Sequence, residues 1–176
     1  MREQKTMNRK IIAIDNGLNG GLVQLDEAGA IVGRMIMPNK VEDGKNRVDE
    51  LELALMLLHL PADTVVIIEK PVGSKSLSAA TSMADSYART RAACTIAGFE
   101  VHSIAARTWQ SKLFKGVEGK DTKEKAAKVF GVLFPNHVDE FSTTRKGNNS
   151  KNLHDGLADA ALIAKFAQAT NYKETK

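Results

Sequence analysis

Cysteine is almost absent: Cys94 stands alone among 176 residues. A disulfide framework and a thiolate metal cluster are both excluded, and a reducing cytoplasm is the expected compartment. Long apolar runs are missing too. No stretch approaches the ~20 apolar residues that a membrane span requires. The run from Ile11 to Ile14 that follows "MREQKTMNRK" stops at Asp15, which is not the pattern of a signal peptide. Met7 offers an alternative start. Residues 1–8 read as a flexible N-terminal tail, 9–170 as one domain and 171–176 as a C-terminal tail. No internal repeat is visible, and tryptophan occurs once, at Trp109.

What is present suits one soluble domain with a real core: 43% hydrophobic residues against 26% charged ones. The net charge of +4 leans mildly toward a polyanionic partner. Its distribution says more than its size. Arg107, Lys112, Lys115, Lys120, Lys123, Lys125 and Lys128 face only Glu118, Asp121 and Glu124 over that stretch. Lys70, Lys75, Arg89 and Arg91 lie around the preceding segment, opposed by Asp85. Any one of these lysines is ordinarily just a solvated helix face. Two neighbouring basic segments together make a phosphate-tracking surface.

Apolar periodicity supplies the elements. Residues 11–15 form a short apolar run, as in a strand covered on both faces. The "NGLNGG" turn follows, and 22–26 and 31–37 read as two further strands of a meander. Val48, Leu51, Leu55 and Leu58 predict one apolar helix face ending before Pro61. Residues 65–69 form the next strand, and an alanine-rich helix spans about 77–97, serving internal packing, a dimer seam or both. A fifth strand covers 99–104. Asp121 with Glu124 marks a capping-box start for a helix whose buried stripe is Ala126, Val129, Phe130 and Leu133. Residues 142–152 read as a polar loop, and a last helix runs from about His154 to Ala169. The sum is an α/β fold with a five-stranded mixed sheet flanked by helices.

Three carboxylate stations stand out. A helical crossover lets the first and fourth strands run parallel, which brings their C-terminal ends to one sheet edge, where open α/β sheets place their sites. Asp15 and Glu69 occupy those ends, each after an apolar run and before a turn. "HDGLADAALIA" carries Asp155 and Asp159 four residues apart, on one helix face among small residues. Asp155 alone is explained by the helix dipole; Asp159, a full turn further in, is not. Carboxylates that converge repel one another unless cations intervene. Hard oxygen donors favour Mg²⁺, with Mn²⁺ as substitute, and paired ions of this kind serve phosphodiester cleavage.

Taken in order, "IIAIDNGLNGGLV", "VVIIEKP", "AARTWQSKLF" and "HDGLADAALIA" resemble the RuvC-like Holliday junction resolvases of the ribonuclease H-like fold, over roughly residues 9–168. The short chain looks more like the phage-type members. The resemblance implies a homodimeric, Mg²⁺-dependent endonuclease that cuts four-way DNA junctions symmetrically in recombination, repair or phage genome processing. It implies Asp15, Glu69 and Asp159 as metal ligands and Asp155 as the fourth. Gly156 stands where the family carries Asp or His, which leaves His154 as the alternative to Asp155. It further implies phosphate contacts after the fifth strand, where Gln110 replaces one lysine, so that contact is either absent or moved to Lys112, and Lys123 matches the other. Lys70, Lys75 and Arg107 complete the expected DNA-binding set. Trp109 reads as a packing anchor ahead of a base-stacking platform, and His102 as structural. Two rivals differ in class. "DNGLNGG" also resembles the phosphate loop of actin-like ATPases, and another ribonuclease H-like nuclease, acting on RNA–DNA hybrid or other branched DNA, would carry similar carboxylates.

Overall fold

The computed structural model describes residues 10–71, 73, 76–144 and 151–173. The assigned N-terminal tail, Lys75 and the end of the C-terminal tail lie outside that range. The chain runs β1 (Ile11–Asp15), β2 (Gly21–Leu25), β3 (Ile31–Ile36), β4 (Asn39–Glu42), β5 (Lys45–Val48), α1 (Glu50–Leu57), β6 (Val65–Lys70) and α2 (Leu77–Ile96). It continues through β7 (Glu100–Ala105), α3 (Ala106–Leu113), α4 (Thr122–Leu133), a 3₁₀ turn (Pro135–His137), β8 (Ser142–Thr144), β9 (Lys151–Leu153) and α5 (Asp155–Thr170).

Five strands form the main sheet in the order β3-β2-β1-β6-β7. β1 pairs antiparallel with β2, and parallel with β6 after the crossover through α1. β6 and β7 are also parallel. Side chains alternate between the faces of a strand, and here the two sets enter two different cores. Ile11, Ala13, Val65 and Ile67 join the core built with α3, α4 and α5. Ile12, Ile14, Val66 and Ile68 join the core built with α1 and α2. Strands buried on both faces must be apolar at every position, which accounts for the unbroken runs in β1 and β6. α5 is the most deeply set helix, with ten buried residues, and its alanines Ala158, Ala160, Ala161, Ala164 and Ala167 let it lie close on the sheet.

Several local expectations are corrected. Leu51, Leu55 and Leu58 are 66%, 53% and 60% exposed, while α1 buries Leu53, Ala54 and Leu57. Val48 belongs to β5, in a two-stranded ribbon with β4, and Asp49 caps the helix by accepting the amide of Glu52. Leu133 is 37% exposed, although Ala126, Val129 and Phe130 are buried as expected. Within 142–152, β8 and β9 pair antiparallel instead of forming loop throughout. The segment after β7 turns at once into α3. Tyr172, placed in the C-terminal tail by sequence, packs against the core and donates to the carbonyl of Ser103 at 3.0 Å.

Candidate active site

The register that pairs Ile14 with Ile68 sets the ends of β1 and β6 side by side, with Asp15 and Glu69 next in line. Strand alternation directs both toward the α5 face, in phase with Ala13 and Ile67. α5 arrives there because its first turn docks on the glycine-rich turn after β1. Gly156 forms a bridge with Gly20. A Cβ on Gly156 would lie 2.5 Å from the Asn19 carbonyl oxygen and 2.6 Å from the Gly20 Cα. The absence of a side chain at 156 is thus a packing requirement. His154 caps the helix, its Nδ1 accepting the amide of Leu157 at 3.2 Å. The turn itself is engaged internally: the amide of Gly17 donates to Asp15 Oδ1 at 3.2 Å, and that of Gly20 to the Gly17 carbonyl at 2.8 Å.

A cleft of about 660 Å³ opens over this junction. Asp15, Asp155 and Asp159 line it together with residues 17–20, Lys123, His154, Ser82, Met83 and Ser86 of α2, and Thr143 and Asn152 of the β8–β9 ribbon. Glu69 lines a smaller cavity of about 120 Å³ that shares Asp15, Gly17 and Met83 with the cleft and adds Asn16, Lys70, Pro71 and Ala106.

The carboxylates feel one another. Desolvation raises the pKa of Asp15, against the Gly17 amide and the His154 ring, and the Asp155 charge raises it further. Desolvation pushes Glu69 up to about 7, opposed by the hydrogen bond from Trp109 and assisted by Asp15. Asp159 rises to about 8, through desolvation first and then through the charges of Asp15, Glu69 and Asp155. Burial and mutual repulsion outweigh what Lys123 and His154 offer these carboxyl groups. Hard oxygen donors of this kind match Mg²⁺ or Mn²⁺ in chemistry. They are not assembled into a coordinating set as they stand: among the described residues, no three His, Cys, Asp or Glu side chains are grouped to hold an ion. Two have other partners. Trp109 Nε1 donates to Glu69 Oε1 at 2.8 Å, and Lys123 Nζ donates to Asp155 Oδ2 at 2.7 Å.

The basic candidates divide by position. Lys123 lines the cleft and Lys70 the smaller cavity. Arg107 and Lys112 are exposed on α3 and line neither. Trp109 is fully buried, edge-on to Phe114 at 5.4 Å, so it packs and cannot stack on a base as placed. Its bond to Glu69 went unforeseen in the sequence, as did Ser82, Ser86, Thr143 and Asn152. Ser82 and Ser86, four apart in α2, were the legible hint of a polar helix face.

Comparison with solved structures places this architecture. Thermus thermophilus RuvC in complex with a Holliday junction substrate superposes with a TM-score of 0.58 at 15% identity, covering 93% of this chain and 95% of that one. A second T. thermophilus RuvC structure gives 0.50 at 16%, over 92% and 96%. No protein-family model matches the sequence, and comparison with curated proteins finds no match. The fold is therefore RuvC-like, of the ribonuclease H-like class, with the expected five-stranded mixed sheet flanked by helices.

Proposed function

We propose that the protein is a structure-selective endonuclease that resolves four-way DNA junctions by divalent-metal-dependent phosphodiester hydrolysis. One observation carries the reading. Carboxylates from β1, β6 and α5 converge at the C-terminal edge of parallel strands, in a fold shared with a RuvC that was solved on a Holliday junction. Asp15, Glu69, Asp155 and Asp159 are the proposed holders of Mg²⁺, or of Mn²⁺ in its place. When bound, the cations supply Lewis-acid stabilisation of the charge that develops on the phosphoryl oxygens. The protein's own groups bind and orient. Lys123 at the cleft and Lys70 beside Glu69 attract the phosphates, with Lys75, Arg107 and Lys112 extending the contact along the strand.

Symmetric cutting of a junction requires two sites, and a homodimer provides them. The exposed face of α2, with Ala84, Ala88, Ala92 and Ile96, is the proposed seam. A phage-type member working in a bacterial cytoplasm completes the proposal.

The test is nicking of a synthetic four-way junction beside linear duplex and RNA–DNA hybrid, with and without Mg²⁺. Cleavage selective for the junction and dependent on the ion is expected. Asp15→Asn and Glu69→Gln should each cut at least on the order of 10³-fold more slowly while binding the junction as well as wild type or better. Preference for the hybrid would move the assignment to another ribonuclease H-like activity, and wild-type cutting by either variant would end it.

A further inference from the structure

Trp109 is remote from Glu69 in sequence and touches it through one bond. The indole is 0% exposed and held edge-on by Phe114. Its N–H has a single hydrogen to give, and Glu69 Oε1 receives it at 2.8 Å. The placement follows from topology. Glu69 pairs with Ile104 and Lys70 with Ala105 in the β6–β7 ladder, and α3 starts at the next residue, so its first turn swings Trp109 back over the end of β6. A buried indole needs a partner for its N–H, but any backbone carbonyl would serve that need. A carboxylate at the mouth of a cavity shared with Asp15 is a different kind of partner.

We propose that Trp109 is a positioning residue for the metal centre: its N–H fixes Glu69 by one oxygen and leaves the second as the ligand atom. The inference rests on the reading of the carboxylates as ion ligands. Outer-shell hydrogen bonds of this type orient ligands, and removing one typically weakens metal affinity 10–100-fold. Packing alone would make the ring matter and the nitrogen irrelevant. The proposal makes the nitrogen decisive.

The sequence offers a direct probe, because Trp109 is its one tryptophan. Wild-type protein, without DNA, is titrated with Mn²⁺ while indole emission is followed; saturable quenching that disappears in Glu69→Gln is expected. Ion affinity of variants is then read from the rise in Tm with Mn²⁺ or Mg²⁺ concentration, which follows from preferential binding to the native state. Trp109→Phe keeps most of the ring and loses the donor, so its ion affinity should fall about 10–100-fold. Phe114→Leu loosens the packing and keeps the donor; it should lower Tm in chelator while leaving ion affinity unchanged. Equal ion affinity in Trp109→Phe and wild type overturns the proposal, as does an equal loss in both variants. A wild type that cuts junctions but shows either pattern refutes only the role of Trp109. A wild type whose emission responds to Mn²⁺ as described but which cuts nothing refutes the nuclease reading and keeps this one.

Discussion

Buried, and in the field of three other carboxylates, Asp159 holds its proton up to about 8, and burial holds that of Glu69 up to about 7. The unfolded chain releases these protons at ordinary carboxylate values, so over the interval between, the native state binds more protons than the unfolded one. Stability of the ion-free protein should therefore fall as pH rises from about 4 to about 8, then level off. Each unit of displacement is worth about 1.4 kcal/mol, so the loss at the upper end is several kcal/mol. Melting curves in chelator at pH 5 and pH 8 measure it directly. Asp159→Asn should flatten the trend and raise Tm at pH 8, and added Mg²⁺ should do likewise in wild type; a Tm that climbs with pH would contradict both. Individual residues differ in how openly the sequence displays their task. Asp15 and Glu69 end apolar runs, and a charge in that position draws notice. Trp109 gives no such sign, since the indole is forty residues from its partner and only the β6–β7 register reveals the meeting. Gly156 looked like a missing ligand, and the close backbone of Gly20 explains it as a requirement for contact.

At the level of elements, the seating of α5 on the 16–20 turn decides where two of the four carboxylates stand. Gly156→Ala should force that contact apart and cost about 1–3 kcal/mol or more, with a matching drop in denaturation midpoint. Because the helix start would shift, junction cleavage should fall along with stability. A variant as stable as wild type would show that the contact is slack. α1 is held in a different way. Arg89 of α2 bonds Glu50 at 2.8 Å and Asp85 at 3.2 Å and pairs with Glu42 of the β4–β5 ribbon, tying three elements together. That network was not legible, and neither was the face of α1. In "ELELALMLLHL" nearly every second residue is leucine, so helical and alternating patterns fit equally well. The ribbon before it, rich in charge and only four residues per strand, has one valine in each strand, and Val48 reads as readily into the helix pattern. β1 and β6, the strands that carry Asp15 and Glu69, were legible because double-sided burial leaves no room for polar interruption.

Over the whole molecule, the excess of positive charge is small and its placement matters more. Lys123 reaches the cleft, Lys70 the adjoining cavity, and Arg107 and Lys112 extend outward on α3. Junction affinity should fall steeply as salt increases, with the logarithmic slope shrinking by about 1 in Lys123→Ala. Filter binding across a range of KCl concentrations gives that slope, and a flat response would remove the basic segments from the interface. Order along the polypeptide has one more effect. The last helix of the fold covers β1 and β2, and it brings Asp155 and Asp159 to Asp15, laid down over a hundred residues earlier. While a ribosome is still threading that helix through its exit tunnel, the emerging nascent chain has strands with one bare face and half of its acidic groups missing. On the proposed function, the four carboxylates can meet only after that helix has left the tunnel, so a partly made chain carries no complete metal site.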